Sequence, residues 1–229
     1  MLHLDLPPAR EDGYRILCLG AHADDVEIGA GGTVLAWLRD HPESSVRWVV
    51  FSASGTRADE AEASAQRLLC GVGEWEVDVA SFEDGFFPEQ WAAIKRYFER
   101  RIKPFEPDLI LTHYRHDRHQ DHRTISDLTW NTFRDHLILE YEIPKYDGDL
   151  GQPNLFVPLD RALCEQKVDH LMTAFPSQTE RSWFTEETFW SMLRLRGIEA
   201  AAPYAEAFYA HKLVGRTGDT AGADGRTDG

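Results

Sequence analysis

Apolar runs alternate with amphipathic stretches along the first half of the chain. Residues 14–19 and 46–51 are mostly apolar, which is typical of strands buried on both faces of a parallel sheet. Between them, residues 28–38 carry apolar side chains at helical spacing. This alternation predicts βαβ units.

The same criteria predict the remaining elements. Helices are expected at residues 58–69, 88–102, 161–174 and 186–195 and directly after His122, and strands at residues 75–80, 108–112, 137–142 and 207–214. The Gly/Pro/Asp-rich stretch 144–153 is expected to be a surface loop. Because right-handed crossovers place helices on both faces of a sheet, we predict an α/β fold with a Rossmann-like, doubly wound, mainly parallel sheet.

Length and composition indicate one compact unit. The chain has 229 residues, of which 42% are hydrophobic, enough for a single α/β domain with a buried core. We assign that domain to residues 1–214. Residues 215–229 have no apolar anchor, so a disordered C-terminal tail is predicted there.

The charge and the termini restrict partners and location. The 24 basic and 39 acidic residues give a net charge of −15, which disfavours binding to nucleic acid or to anionic lipid. No apolar run approaches the roughly 20 residues of a membrane span, and the first twelve residues do not resemble a secretory signal. Cys18, Cys70 and Cys164 are interpreted as reduced core thiols, and a cytoplasmic location is expected.

Two segments that follow predicted strands are dense in imidazole and carboxylate groups. One covers residues 21–27 and the other covers residues 113–122. Since the carboxyl ends of parallel strands meet at one edge of a sheet, these segments are expected to face each other. Nitrogen and oxygen donors together favour a divalent metal, zinc first.

A dinucleotide site is the alternative at the first segment, because Gly29, Gly31 and Gly32 follow it. A dinucleotide fingerprint has its glycines directly after the strand, where this chain has Asp24 and Asp25. Two carboxylates there would repel a pyrophosphate. The glycines are therefore expected to allow close packing of a helix on the sheet.

The two segments carry a family resemblance. Residues 21–27, Ala-His-Ala-Asp-Asp-Val-Glu, resemble the Ala-His-Pro-Asp-Asp-Glu signature of the LmbE-like, or PIG-L, N-acetylglucosaminyl deacetylases. Residues 119–122, His-Gln-Asp-His, are similar to that family's His-Pro-Asp-His signature. Arg57 with Glu60, and Asp84 before a glycine, give weaker matches. Both signature prolines are replaced, which changes backbone stiffness but no reacting group.

The resemblance implies that His22, Asp25 and His122 hold a zinc ion, and Fe²⁺, Mn²⁺ or Co²⁺ would suit the same donors. Free coordination positions for water and substrate are the mark of a catalytic rather than a structural zinc. In an alternative interpretation, Asp24 and Asp25 only cap the following helix and stabilise its dipole.

The remaining site residues are assigned to catalysis and substrate binding. Because neighbouring residues point in different directions, Asp24 is not expected to share the metal with Asp25. It is therefore the candidate general base. His119, as an imidazolium held by Asp121, would stabilise the oxyanion or protonate the leaving amine. The resemblance carries Arg57 and Asp84 over as substrate contacts.

Several other residues are assigned to the wall or surface of the site, to a sugar-facing edge or to the core. His113 and His116 are expected to be wall or surface residues, and Trp183 and Phe184 to form a sugar-facing edge. Core positions are predicted for Trp48, Trp75, Trp91 and Trp130.

The function these inferences predict is zinc-dependent hydrolysis. The substrate would be an N-acetylglucosamine-type amino sugar in a glycoside, sugar nucleotide or glycolipid precursor, and acetate would be released. Alternatives are a metal-dependent amidohydrolase acting on a non-sugar metabolite and a metal-stabilised binding domain. The expected partner is a small molecule, with no nucleic acid and no membrane insertion. Relatives of this kind often form homo-oligomers, but no sequence feature fixes a number.

Overall fold

The computed structural model describes residues 3, 4, 6 and 13–215, so the predicted tail lies outside the described residues except for Gly215. The strands are β1 (Arg15–His22), β2 (Ser45–Ser52), β3 (Glu74–Val79), β4 (Leu109–His113), β5 (Leu137–Tyr141), β6 (Leu155–Leu159) and β7 (Tyr204–Tyr209). The α-helices are α1 (Asp25–Asp40), α2 (Thr56–Leu68), α3 (Trp91–Tyr97), α4 (Gln120–Thr132), α5 (Arg161–Ala174) and α6 (Glu186–Glu199). A π-helical turn (Phe98–Ile102) continues α3.

All the strands belong to one sheet in the order β3-β2-β1-β4-β5-β7-β6. Strands β1 to β5 are parallel, whereas β7 pairs antiparallel with both β5 and β6. The predicted α/β, mainly parallel, doubly wound fold is confirmed. The chain reverses its direction of winding between β1 and β4, and ligands of open α/β sheets bind at the carboxyl ends of such a strand pair.

The C-terminal strands differ from the prediction. β6 was not predicted, because a short segment that contains Pro158 reads poorly as a strand. Its position at the sheet edge makes the proline tolerable. β7 spans Tyr204–Tyr209 rather than the predicted residues 207–214. Its start was missed because Glu206 interrupts the apolar pattern. That carboxylate is buried beside the Lys167 ammonium, 2.5 Å away.

Two apolar clusters lie on the two faces of the sheet, and some predicted core residues lie outside them. Cys18 and Cys164 are buried as expected, but Cys70 is exposed just beyond the end of α2. Trp75 and Trp91 are 42% and 43% exposed, so their assignment to the core was wrong. Trp75 lies on edge strand β3, and Trp91 opens α3. No helix among the described residues is long and apolar enough to cross a membrane.

Glycines bring α1 close to the sheet, as predicted. A Cβ atom on Gly29 would lie 2.2 Å from the ring of Tyr141 in β5, and one on Gly32 would lie 2.5 Å from Leu159 in β6. Any side chain at these positions would push the helix outward. Gly29 and Gly32 thus set how closely α1 packs against β5 and β6.

Gly29→Ala should lower the free energy of unfolding by about 1–3 kcal/mol, because the new methyl group meets the Tyr141 ring. Gly31→Ala is the matched control. Its nearest neighbours, in Glu27 and Lys167, would be 3.9 Å away, so it should gain helix propensity of up to about 1 kcal/mol. Urea denaturation measures both, and equal effects of the two variants would contradict the close-approach argument.

Candidate active site

The two segments that were predicted to meet lie side by side at the carboxyl ends of β1 and β4. His22 ends β1, and Asp25 begins α1. His113 ends β4, His119 is the N-cap of α4, and His122 lies in its first turn. The topology therefore collects side chains that are about a hundred positions apart in the chain.

Three side chains form the centre of this cluster. The Nδ1 atom of His22 lies 3.2 Å from the Nε2 atom of His122 and 3.4 Å from Oδ2 of Asp25. Oδ1 of Asp25 lies 3.6 Å from the same Nε2 atom of His122. Asp25 and His122 are buried, and the side chain of His22 is largely buried. These are the three residues that the resemblance assigned to the metal.

The outer nitrogen of each imidazole faces a carboxylate. Nε2 of His22 lies 3.0 Å from Oδ1 of Asp84 and 3.3 Å from Oδ2 of Asp121. Nδ1 of His122 lies 2.9 Å from Oδ2 of Asp117. A proton on each outer nitrogen leaves the inner nitrogens with free lone pairs directed at the centre. Such carboxylate–histidine pairs are typical supports of metal ligands.

Further groups of donors overlap with this centre. The donor atoms in each of three sets come within 4.8 Å of one another: His22 with His119 and His122; His22 with Asp84, His119 and Asp121; and Asp25 with His113 and His122. The Nε2 atom of His113 accepts the Ala21 amide hydrogen at 2.8 Å, which occupies its lone pair. His113 is therefore a buried wall residue, whereas His116 is exposed.

The cluster is electrostatically suited to a cation. Burial works against a charged His22, yet Asp25 and two further carboxylates raise its pKa well above the usual value. Burial would raise the pKa of Asp25, but the neighbouring imidazoles hold it well below its usual value. Burial lowers the pKa of His122 to about 4, which favours the neutral, metal-binding form. A pocket that draws a proton to His22 in this way would also attract a metal ion.

Asp24 does not act as a simple helix cap. It occupies the N-cap position of α1, but its side chain makes no capping hydrogen bond. Instead, its Oδ1 atom accepts a hydrogen bond of 3.0 Å from Nη2 of Arg57. Burial raises the pKa of Asp24, and the Arg57 charge opposes that rise. The capping interpretation of Asp24 is therefore not supported, and its carboxylate lies beside the cluster with one cationic partner.

The hydrogen bonds of the Asp121 carboxylate go to groups other than the His119 imidazole, which it was predicted to contact. The Asp121 carboxylate accepts the amide hydrogens of Gly85 at 2.7 Å and Phe87 at 3.1 Å, and its remaining polar contact in the described chain is His22. The Nδ1 atom of His119 accepts the amide hydrogen of Asp121, 3.3 Å away. An imidazole that accepts at Nδ1 is neutral and carries its proton on Nε2. Burial, together with the charge of His22, also lowers the pKa of His119. The contact at Nδ1 and the lowered pKa both favour a neutral His119 over the expected imidazolium.

Comparison with known proteins identifies the family. The model of the PIG-L family, described as GlcNAc-PI de-N-acetylase, matches residues 17–133, just over half of the chain. This chain belongs to the PIG-L family. The matched region contains both signature segments, from β1 to the end of α4.

Solved structures share the fold. A conserved protein from Thermus thermophilus is 20% identical with a TM-score of 0.68, covering 89% of this chain and 97% of its own. The N,N'-diacetylchitobiose deacetylase of Pyrococcus horikoshii is 20% identical with a TM-score of 0.68, covering 86% and 84%. The 4-carboxy-2-hydroxymuconate hydratase of Pseudomonas putida is 15% identical with the same TM-score, covering 90% and 99%. At these identities the likeness establishes the fold alone.

Asp84 lies at the rim of this PIG-L family site, whereas Phe184 lies in the core, and the supporting carboxylate of Asp117 was not predicted. The Asp84 side chain is 72% exposed at the rim of the cluster, where a substrate can reach it. Phe184 is buried in the apolar core, so its predicted place at a sugar-facing edge is wrong, whereas Trp183 packs against that core and is only partly buried. Asp117 was missed, although its position two residues before His119 in an acidic, histidine-rich loop is a signal that could have identified it. Its carboxylate supports His122 and accepts the His119 amide hydrogen at 2.8 Å.

Proposed function

We propose that this protein is a metal-dependent N-deacetylase that removes the acetyl group from an N-acetylglucosamine-type amino sugar and releases acetate. The observation that carries the proposal is the paired arrangement of His22 and His122. Each directs one nitrogen at a shared centre beside Asp25 and the other nitrogen at a carboxylate. Membership of the PIG-L family supports the same reaction class.

His22, Asp25 and His122 are the residues that would hold the metal ion. Ligand atoms at about 2.0–2.1 Å from zinc at the corners of a tetrahedron are about 3.3 Å apart. The inner nitrogens of His22 and His122 are 3.2 Å apart. The two Asp25 oxygens lie near them, Oδ2 at 3.4 Å from His22 and Oδ1 at 3.6 Å from His122. Zinc is the first choice for two imidazoles and one carboxylate, and the same donors suit Fe²⁺, Mn²⁺ or Co²⁺.

The bound metal would polarise the acetyl carbonyl and favour ionisation of the attacking water. Asp24 would accept the proton that water loses as its oxygen bonds to the carbonyl carbon. Arg57 holds the Asp24 carboxylate in place through the hydrogen bond at 3.0 Å. Breakage of the carbon–nitrogen bond then yields acetate and a free amine, which must gain one proton.

The neutral His119 would serve as a donor on the opposite wall. Its Nδ1 atom is occupied by the Asp121 amide hydrogen, so Nε2 carries the proton. From there it would donate a hydrogen bond to the developing oxyanion. The proton that Asp24 accepted from water would pass to the leaving amine. Asp121 would contribute indirectly by holding His22 and the 84–87 loop. Arg57 and Asp84, which line the rim, would contact the sugar hydroxyls or the aglycone.

Acetate release should be detected when the metal-loaded protein is incubated with a panel of N-acetyl sugars, and treatment with a chelator should abolish it. The same panel should include N-acetylated compounds without a sugar and an unsaturated carboxylic acid, because a structural neighbour is a hydratase. Cleavage confined to non-sugar amides would support the alternative amidohydrolase. Hydration without acetate release would contradict a deacetylase.

His22→Ala, Asp25→Ala and His122→Ala should each lower metal content and activity together, because each removes a proposed ligand. His116→Ala is the matched control, since this histidine of the 113–122 segment is exposed and belongs to none of the donor sets. Metal content is measured by atomic absorption after dialysis. Full occupancy in any of the three variants would remove that residue from the proposed ligand set.

Asp24→Asn should retain the metal but lower kcat by about 100-fold or more, because the amide cannot accept the proton. Asp59→Asn, on the exposed face of α2, is the control and should behave like the wild type. Steady-state kinetics on the best substrate measure the effect. A nearly normal rate in the metal-loaded Asp24→Asn variant would exclude Asp24 as the base.

A further inference from the structure

We infer that Lys145 is a positioning residue of the site, which holds Asp117 against His122 and thereby sets the metal affinity. The inference rests on the proposed function, in which His122 is a ligand. Lys145 lies in the 144–153 loop, outside both signature segments and outside the matched region.

Lys145 and His122 contact the same carboxylate oxygen of Asp117. The Nζ atom of Lys145 lies 2.8 Å from Oδ2 of Asp117, and the same oxygen lies 2.9 Å from Nδ1 of His122. Oδ1 of Asp117 accepts the amide hydrogen of His119. One carboxylate therefore connects the ammonium group, the proposed ligand and the N-cap of α4.

Asp117 needs this cation because it is buried. The residue is only 2% exposed, and a buried carboxylate without a charged partner is costly. Arg123 is nearby, but its guanidinium donates to the backbone carbonyl of Asp117 rather than to the carboxylate. Within residues 13–215, Lys145 and His122 are the basic side chains within 4.0 Å of that carboxylate. Without Lys145, the carboxylate would turn toward water and lose its fixed orientation at His122.

Lys145 also connects two loops, and this suggests a purely structural alternative. Its Nζ atom lies 2.7 Å from Oδ2 of Asp149, and that oxygen accepts the Arg118 amide hydrogen at 2.7 Å. Asp149 therefore fastens the 144–153 loop to the loop that precedes α4 without touching Asp117. This second linkage offers a control, because loop attachment can be weakened while the Lys145–Asp117 contact remains.

The experiment measures the dissociation constant for Zn²⁺ in the full-length, chelator-treated protein by competition with a chromogenic chelator. The variants are Lys145→Met, Lys145→Arg, Asp117→Asn, the double variant Lys145→Met/Asp117→Asn, and Asp149→Asn. Thermal unfolding of each metal-free variant is recorded alongside. If Lys145→Met does not fold, Lys145→Gln replaces it under the same expectation.

Lys145→Met should weaken Zn²⁺ binding about 10-fold, and Asp117→Asn by about 10- to 100-fold, as expected for supports of a metal ligand. The double variant should bind no more weakly than Asp117→Asn, because Lys145 acts through Asp117. Lys145→Arg should restore most of the affinity by keeping the charge. Asp149→Asn should lower thermal stability with little change in affinity.

Three results would overturn the inference: unchanged affinity in Lys145→Met, losses that multiply in the double variant, or an equal loss of affinity in Asp149→Asn. A wild-type chain that binds no Zn²⁺ would instead contradict the proposed metal site. A wild type that binds Zn²⁺ without releasing acetate would contradict only the proposed reaction. The measurements therefore separate failure of the positioning role from failure of the function.

Discussion

Negative charge is concentrated at the carboxyl ends of β1 and β4, and the local structure is organised to support it. Asp24, Asp25, Asp117 and Asp121 are all buried there, and each has defined partners. Asp24 has Arg57; Asp25 has the imidazoles; Asp117 has Lys145 and His122; Asp121 has two backbone amides and His22. Buried carboxylates are stable only when they are paired in this way. A divalent cation would complete the compensation at the centre.

The fold supplies the closeness that this arrangement requires. Gly29 and Gly32 let α1 lie against β5 and β6, so that Asp25 reaches the imidazoles from the neighbouring strand end. The C-terminal part reinforces this contact through buried ion pairs. Lys167 bonds both to Glu206 and to the Ile28 carbonyl of α1, and Arg196 bonds to Glu142 at the end of β5. Elements beyond the family-matched region thus fix the position of the helix that begins the site.

The site combines a central set of donors with an outer set of supports. His22 and His122 each use one nitrogen inward and one outward, so the carboxylates behind them determine which nitrogen carries the proton. The corrected partners of Asp121 fit the same scheme, because this residue supports His22 rather than His119. His119 is instead oriented by the start of α4, where a backbone amide fixes its tautomer. Substrate-facing groups such as Asp84 lie further out, where exposure increases.

The sequence by itself determined the fold class, most helices and strands, and the meeting of the two signature segments. These features follow from local hydrophobic periodicity and from the rule that parallel strands end at one edge of a sheet. The role of the glycines in α1 was also predictable, because two carboxylates rather than glycines follow the strand directly, which excluded a nucleotide loop. Sequence patterns could not identify β6, where a proline and a short apolar run gave a weak signal.

Tertiary structure alone decided how the site side chains are paired. Asp121 and His119 are close in sequence, yet the Asp121 carboxylate contacts the amides of Gly85 and Phe87 and the imidazole of His22. Lys145 and Asp117 are 28 positions apart, and only the folding of two loops brings them together. Hydrogen-bond direction and burial depend on elements distant in the chain, so periodicity and motif spacing carry no record of them.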